Sequence, residues 1–257
     1  MKNFLLTFSL LVTVMSLAVA GPAPKPEPAA DPSRLYEVRI YYPTPGNYEA
    51  IIDRFRKYTC RIFEKHGMTN VGYWLPIDGS PERIIYILSY PSREARDASW
   101  KAFGSDPEWK EVVAKTEANG KIVAKVDQIF MTEAEISPAI KPSKKPGRVF
   151  ELRTYSPAPG KLNDLIARFK NHTIKLFTKH GMTHIGYWLT TQPDETGQSK
   201  LVYILAHPSE AEGKKHFDEF RNDPKWVKAK ADSEKNGSLT NKVESVYMKP
   251  TDYSPIQ

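Results

Sequence analysis

Two stretches of this 257-residue chain are nearly the same: residues 65–74 read KHGMTNVGYW, and residues 179–188 read KHGMTHIGYW. They lie 114 positions apart, and the same separation relates EVRIYYPTPG at residues 37–46 to ELRTYSPAPG at residues 151–160. A repeat of this length is much longer than the units of solenoid proteins, which run to about 20–50 residues. The chain is therefore predicted to contain two copies of one domain.

Each copy alternates between two hydrophobic periodicities. Apolar residues occupy every second position of residues 36–42, which is typical of a strand, and recur at helical spacing over residues 51–63. A second helix is predicted to break at Asp106-Pro107, where Asp caps a helix and Pro begins it. Further strands of the first copy are predicted at residues 70–75, 83–90 and 121–131. The order is β-α-β-β-α-β, the arrangement of ferredoxin-like folds.

A ferredoxin-like sheet has one face covered by helices and one bare face. Tyr and Trp are too abundant here for that face to be left in water, and two copies can cover each other. We predict an α+β protein in which two tandem ferredoxin-like repeats pack sheet to sheet as an intramolecular barrel. Two independent domains on a string are the alternative. The predicted segments are repeat 1 at residues 35–131, a linker at 132–148, repeat 2 at 149–250 and a tail at 251–257.

The N-terminus has the pattern of a secretory signal peptide. A basic start is followed by an apolar run from Phe4 to about Leu17 and a small-x-small cleavage site ending at Ala20. A retained anchor is the rival, but about 14 apolar residues span only ~21 Å as a helix, less than a ~30 Å bilayer core. We predict a signal peptide at residues 1–20, a Pro/Ala-rich spacer at residues 21–34, and a periplasmic or secreted protein without an integral membrane segment.

Composition narrows the classes of partner. The net charge is +7, but Lys and Arg are spread along the chain, which argues against nucleic-acid binding. The single cysteine, Cys60, cannot form an intramolecular disulfide and is predicted to be a buried apolar residue rather than a nucleophile. A small organic ligand is the expected partner, and bare strand edges leave room for a homo-oligomer.

One face of each first strand is polar. Its residues are Glu37, Arg39 and Tyr41 in repeat 1 and Glu151, Arg153 and Tyr155 in repeat 2. Because the opposite apolar face is expected to meet the helices, this polar face is predicted to point into the barrel. Its Arg and Tyr donors could bind an anionic or carbonyl-bearing ligand there. The alternative is a structural ion pair that sets the register between the sheets, since an unpaired buried charge costs several kcal/mol.

His66 and His180 occupy equivalent positions in the two copies. A functional interpretation makes them bases or haem ligands at the mouth of a pocket. The alternative is that each stabilises the negative end of a helix just before a glycine. His180, Met182 and His184 have the donor types of a copper site. Repeat 1 has Asn70 at the position of His184, so these are weak candidates and no metal site is predicted.

Taken together, the repeated motifs resemble those of the NIPSNAP family. The motifs are Glu-(Val/Leu)-Arg-x-Tyr before a Pro-Gly turn, Arg-Phe, Lys-His-Gly-Met, Gly-Tyr-Trp and Asp-Pro-x-Trp. The resemblance covers nearly all of residues 35–131 and 149–248, and it implies the fold of the dimeric α/β barrel superfamily. Other branches of that superfamily include cofactor-free monooxygenases, haem-degrading enzymes and isomerases. The family's own biochemical role is unsettled, and the signal-peptide pattern departs from its mitochondrial members.

Three functions follow as hypotheses. The leading one is binding of a small organic ligand in the barrel interior, with no cofactor. The second is an oxygenase or isomerase acting on a carbonyl or phenolic compound, with haem handling as a weaker variant. Its candidate catalytic residues are Arg39 and Arg153 for stabilising an oxyanion, and Tyr41, Tyr155, His66 and His180 for moving protons. The third is a protein-interaction scaffold that uses the outer helices.

Overall fold

A computed structural model describes residues 33–79, 81–195 and 197–257. The predicted signal peptide and nearly all of the predicted spacer lie outside these residues. The strands are β1 Leu35–Pro43, β2 Thr69–Pro76, β3 Ile84–Tyr90, β4 Val123–Glu133, β5 Val149–Pro157, β6 Thr183–Thr190, β7 Leu201–His207 and β8 Thr240–Pro250. The helices are α1 Tyr48–Arg54, α2 Cys60–Lys65, α3 Arg93–Ser105, α4 Pro107–Thr116, α5 Leu162–Arg168, α6 Ile174–Lys179, α7 Glu210–Asn222 and α8 Pro224–Ser233. No helix of the described residues is long and apolar enough to cross a membrane.

The helix that follows β3 is divided where the sequence predicts. The Ser92 side chain accepts a hydrogen bond from the Ala95 N–H (3.2 Å) and begins α3. The Asp106 carboxylate accepts one from the Glu108 N–H (2.8 Å) and begins α4 with Pro107 in its first turn. Such caps satisfy backbone donors that have no partner within the helix. The break at Asp106-Pro107 is confirmed.

The first helix of each repeat contains a feature that the periodicity did not reveal. A π-helical turn, Phe55–Thr59, separates α1 from α2, and Phe169–Thr173 separates α5 from α6. The Thr59 hydroxyl donates to the Arg54 carbonyl (3.2 Å) across this turn. One extra residue per turn changes the face that the following residues present, and such turns are frequent at functional sites.

The eight strands form one closed antiparallel barrel in the order β1-β3-β2-β8-β5-β7-β6-β4. Each repeat supplies four adjacent strands in ferredoxin-like order. The two halves are joined by pairing of β2 with β8, where Trp74 lies opposite Pro250, and of β4 with β6, where Met131 lies opposite Thr190. The predicted barrel of two tandem repeats is confirmed, and independent domains on a string are excluded.

The barrel interior is apolar, and the predicted orientation of the first strands is wrong. Tyr36 and Val38 of β1 lie in the buried interior cluster, together with residues of both repeats. Glu37, Arg39 and Tyr41 therefore face outward, toward the helices. The inference failed because it assumed that only the helix-facing side of the sheet is dry. In a closed barrel both faces are buried, and sheet-on-sheet packing needs the apolar face.

Two Gly-x-Trp pairs shape this interior. Trp74 and Trp188 are fully buried, and each indole folds back over the glycine two residues earlier on the same strand face, Gly72 or Gly186. The ring of Trp74 then packs on Phe150 at 5.8 Å between centroids. The ring of Trp188 packs in the same way on Tyr36, also at 5.8 Å. The repeated Gly-Tyr-Trp motif therefore joins the two repeats, because each tryptophan contacts an aromatic ring of the other half.

The segments at 132–148 and 251–257 close the barrel end that these rings occupy. Strand β4 runs on to Glu133, and Ile140 packs against the interior cluster. Ile256 is buried in the same cluster. Backbone hydrogen bonds join the two segments, from the Ser143 N–H to the Pro255 carbonyl (3.0 Å) and from the Gln257 N–H to the Ser143 carbonyl (2.7 Å).

Gly186→Ala should lower the free energy of unfolding by about 1–3 kcal/mol, the usual cost of forcing an extra methyl into a packed core. The added carbon would lie 2.5 Å from the Trp188 ring. Thermal and denaturant unfolding would measure the change. Gly104→Ala is the matched control, because this glycine lies on the exposed side of α3 with no atom within 4 Å of the added carbon. It should raise stability by roughly 0.5–1 kcal/mol, and equal effects of the two substitutions would contradict the packing role.

Candidate functional site

The polar face of β1 forms a buried ion network against α3. The Glu37 carboxylate is fully buried and accepts hydrogen bonds from Arg39 (2.5 Å), Arg96 (2.9 Å) and the Tyr90 hydroxyl (3.0 Å). Burial alone would raise the pKa of Glu37, but the hydrogen bonds and charges of Arg96 and Arg39 outweigh it and lower the pKa. The carboxylate is therefore held ionised between two guanidinium groups. Glu37 and Arg39 form an ion pair, as in the alternative that the sequence left open, but the pair lies between the sheet and α3 and not between the two sheets.

Arg39 is held on its remaining sides by aromatic residues. It donates to the Tyr86 hydroxyl (3.0 Å) and the Tyr41 hydroxyl (3.3 Å). The Trp100 ring of α3 covers the guanidinium at 4.2 Å. The Trp100 indole N–H also donates to Tyr90 (2.9 Å). Burial would lower the pKa of Arg39, but the surrounding hydroxyls and carboxylate raise it. In repeat 1 the space between sheet and helices is filled by these contacts.

Repeat 2 keeps the central pair but changes what surrounds it. Arg153 donates to Glu151 (2.5 Å), and its Nε donates to Tyr203 (3.0 Å), as in repeat 1. The partner equivalent to Arg96 is missing, because the aligned position is Gly213. His207 replaces Tyr90 and lies 3.3 Å from Glu151. Burial would raise the pKa of Glu151, but the hydrogen bond from His207 and the charge of Arg153 lower it.

A cavity of about 290 Å³ lies between the sheet and the helices of repeat 2, and we call it the helix–sheet cavity. It includes two of the predicted ligand-binding residues, Arg153 and Tyr155. Its other lining residues come from α5 and the π-turn after it, from α7 and α8, and from the segment leading into β8. They are Arg168, Phe169, Thr173, Phe217, Phe220, Arg221, Trp226, Lys230, Glu234, Ser238, Thr240 and Val243.

Five lining positions differ between the repeats. Two of them are Ser238 and Thr240, which replace Lys121 and Val123, and the other three lie on α7 and α8. In each case the repeat 2 residue is 117 positions after its counterpart, and the three helical pairs are Trp100 and Phe217, Gly104 and Arg221, and Val113 and Lys230. The first exchange shortens the aromatic ring that covers the central arginine, and the other two add positive charge. Phe217 still stacks over Arg153 at 4.2 Å, so the smaller ring keeps the contact. These exchanges on α7 and α8 therefore change the ring size and the charge of the cavity lining.

His66 and His180 lie away from this cavity. His66 Nε2 is 2.6 Å from Asp106 Oδ2, and His180 Nε2 is 2.9 Å from Asp223 Oδ2. The His66–Asp106 pair ties the end of α2 to the N-cap of α4, and the His180–Asp223 pair ties the end of α6 to the N-cap of α8. The hydrogen bonds of Lys65 and His66 hold the pKa of Asp106 well below its usual range. With Nε2 engaged by a carboxylate, each imidazole has the geometry of a structural clamp.

The weak metal candidates are also engaged separately. His184 hydrogen-bonds to the Tyr187 hydroxyl (2.6 Å) and to the Thr178 hydroxyl (2.9 Å). Met182 is buried in the core of repeat 2, and His180 is held by Asp223. Burial lowers the pKa of His184. The described residues contain no group of three His, Cys, Asp or Glu side chains that could hold a metal ion. Burial also raises the pKa of the Cys60 thiol to about 12, so this cysteine is not a ready nucleophile.

The sequence patterns did not reveal the cavity residues that lie on the helices. Arg168, Phe217 and Lys230 come from three different helices, and of these only Arg168 belongs to a repeated motif, Arg-Phe. Comparison of the copies position by position could have found two of them, because Phe217 and Lys230 replace residues of different size or charge in repeat 1. Arg168 has an identical counterpart, Arg54, so that comparison would not have identified it.

Glu37→Gln should lower the free energy of unfolding by roughly 3–5 kcal/mol, because it leaves Arg39 buried without a counter-charge. Chemical denaturation would measure the loss. Asp232→Asn, in the exposed pair with Lys228 (2.5 Å), is the control and should leave stability nearly unchanged. A small effect of Glu37→Gln would mean that the network is hydrated and does not hold the sheet against α3.

Several solved structures are similar to this chain at low sequence identity. An anthrone oxidase-like protein gives a TM-score of 0.59 at 9% identity, covering 89% of this chain and 96% of that one. A monooxygenase-like protein from Lactobacillus acidophilus NCFM gives 0.53 at 9% identity, with 85% and 94% covered. An uncharacterized NIPSNAP-like domain protein from Burkholderia xenovorans is 20% identical and covers 45% of this chain and 98% of its own, with a TM-score of 0.39. No curated protein matches the chain in sequence.

The sequence itself gives the family. The profile of the NIPSNAP family matches residues 36–138 and, separately, residues 150–255. These two matches span both halves of the barrel, including the strands that carry the buried Glu-Arg pairs and the Gly-Tyr-Trp motifs. The resemblance seen in the repeated motifs is therefore confirmed. The chain belongs to the NIPSNAP family and carries two NIPSNAP segments in tandem.

Proposed function

We propose that this protein binds a small aromatic carboxylate or phenolate in the helix–sheet cavity of repeat 2. The observation that carries the proposal is the charge of the lining, which has four cations and one carboxylate. The cations are Arg153, Arg168, Arg221 and Lys230, and the carboxylate is Glu234. Anionic ligands are favoured by such a surface, particularly where apolar walls exclude water.

Two of these cations, Arg153 and Lys230, keep capacity for a ligand. Arg153 uses three of its N–H donors on Glu151, Tyr203 and Tyr155. A guanidinium has five donors, so two remain for a ligand oxygen. Lys230 forms no ion pair with the described residues. Arg168 is less available, since it pairs with Glu234 at 2.7 Å.

The walls of the cavity suit a flat ring. Tyr155, Phe169, Phe217, Phe220 and Trp226 contribute aromatic surface. Aromatic pairs add attraction beyond the area that they bury. A volume of about 290 Å³ is near the lower end of the ~300–1,000 Å³ typical of small-molecule sites. The proposal thus keeps Arg153 and Tyr155 from the sequence-based hypothesis, while the site moves from the barrel interior to the helix-facing side of the sheet.

Salicylate and benzoate should bind saturably by isothermal titration calorimetry, with benzyl alcohol, the uncharged analogue of benzoate, at least tenfold weaker. Phe217→Trp should weaken salicylate binding at least tenfold, because it restores the ring that fills this space in repeat 1. The matched control is Trp100→Phe, which should leave the dissociation constant unchanged. Unchanged binding by a folded Phe217→Trp protein would exclude the cavity, and a lack of preference for the anion would exclude the role of its charge.

Catalysis is the second candidate, favoured by the presence of a guanidinium and a phenol in one cavity. Arg153 would stabilise developing negative charge on a substrate oxygen, and Tyr155 would exchange a proton with it. Two solved structures with the same overall fold are described as an anthrone oxidase-like and a monooxygenase-like protein. A phenolic or carbonyl substrate of an oxygenase or isomerase is consistent with the charge of the site.

Tyr155→Phe should distinguish catalysis from binding. If the protein turns over phenolic substrates, removal of this hydroxyl should lower kcat by about 10²–10⁴-fold, the usual contribution of a proton-transferring group. Binding of salicylate should change little. Oxygen uptake and product chromatography with the parent protein would measure the reaction. Turnover that is the same in Tyr155→Phe and the parent would remove this residue from the mechanism.

Export and a scaffolding role are two further proposals, and neither rests on the helix–sheet cavity. Export rests on the pattern of residues 1–20, and we keep a periplasmic or secreted location on that basis. A scaffold would use the outer helices, where Val227 is a large exposed apolar side chain. The helix–sheet cavity gives ligand binding a more specific basis than the helix surfaces give scaffolding.

A further inference from the structure

A second cavity lies inside the barrel, on the other side of the sheet from the helix–sheet cavity. It has a volume of about 400 Å³, and we call it the interior cavity. Its walls are apolar side chains from six strands of both repeats. They are Val38, Ile40, Ile85, Ile129, Leu152, Val202 and Val246. No lining residue is shared with the helix–sheet cavity.

The position of the tryptophans explains why this half of the barrel is hollow. Trp74 lies opposite Ile85, but its ring folds toward Gly72, which lies opposite Ile87. Trp188 does the same in repeat 2. Both large rings therefore fill the end closed by Ile140 and Ile256. The opposite half is lined mostly by aliphatic residues, which are too short to meet across a barrel of eight strands.

The interior cavity opens at the end of the barrel where β1 and β5 finish. Its rim carries exposed polar residues, among them Gln192 and Glu244. Most of its charges already have partners within the protein. Arg83 binds Asp78 at 2.5 Å, and Glu244 binds Lys242 at 2.7 Å.

Lys200 is the exception at this rim. It is half-buried, lines the cavity, and forms no ion pair with the described residues. Asp194, the remaining rim carboxylate, accepts a hydrogen bond from the Gln198 N–H (3.3 Å). A ligand with an apolar body and one negative end would bury the body against the walls and leave its charge beside Lys200. A long apolar chain would remove the largest apolar area from water by packing against these walls, so its burial is the most favourable.

We infer that the interior cavity binds the alkyl chain of a medium-chain aliphatic carboxylate, with the carboxylate at Lys200. The walls favour a flexible aliphatic chain, and Lys200, which has no ion-pair partner among the described residues, would bind its anionic end. This site is independent of the proposed function, because it lies on the opposite face of the sheet. Both ligands are anions, but the aromatic and the aliphatic ligand occupy different layers of the molecule.

The test is calorimetric titration of the full-length protein with hexanoate, octanoate and decanoate below their micelle concentrations. Affinity should rise about fourfold for each added methylene, which is the factor that ~0.8 kcal/mol per buried methylene gives at 25 °C. Decanol should bind more weakly than decanoate, and decyltrimethylammonium weaker still. Affinity that does not depend on chain length would overturn the proposal.

Variants of this chain locate the site. Val202→Trp and Val246→Phe should each weaken decanoate binding at least tenfold by filling the cavity. Because Val246 is partly exposed, Val246→Phe should disturb folding less than Val202→Trp. Lys200→Ala should remove the preference for decanoate over decanol, and Lys214→Ala on the outer side of α7 should not. Phe217→Trp should leave decanoate binding unchanged. The interior site would be excluded if Phe217→Trp abolished decanoate binding, or if folded Val246→Phe still bound decanoate. Neither result would decide whether salicylate binds in the helix–sheet cavity.

Discussion

The structure depends on two sheets that bury each other's apolar faces, because exposure of either face to water would be unfavourable. Each repeat buries one sheet face under its own helices and needs the other repeat for the second face. Pairing of β2 with β8 and of β4 with β6 closes the barrel, so every strand has two neighbours. A closed barrel has no unpaired edge along its joined strands and needs no other partner for its core. Tyr36 with Trp188, and Trp74 with Phe150, are the contacts that join the halves inside.

Closure also determines where charge can be placed. Because the interior is lined mostly by apolar side chains, the charged residues of β1 and β5 lie between sheet and helices. A buried carboxylate is tolerated there only with full compensation. Repeat 1 achieves this with Arg39, Arg96 and Tyr90 around Glu37. Repeat 2 replaces one guanidinium by Gly213 and compensates Glu151 with Arg153, His207 and Ser245.

The two repeats have diverged at single positions of both layers; in the interior, for example, Val38 and Ile85 correspond to Leu152 and Val202. The interior rings and the Gly-x-Trp pairs are retained in both halves, since a change on either side would disturb the shared core. The helix-facing layer belongs to each repeat alone, so it can vary without affecting closure. Trp100 fills it in repeat 1, while Phe217, Arg221 and Lys230 leave an aromatic, cationic cavity in repeat 2. One half thus contributes mainly structure, and the other carries the candidate site.

The sequence by itself determined the duplication, the order of strands and helices, and the helix break at Asp106-Pro107. Local propensity and hydrophobic period are properties of short segments, and each copy served as a check on the other. It identified Arg153 and Tyr155 as site candidates but assigned them to the wrong side of the sheet. Alternation along a strand separates two faces without saying which one meets the helices. Only the tertiary structure decided that, because the choice depends on closure of the barrel and on side chains such as Phe217 and Lys230 that approach Arg153 from other helices.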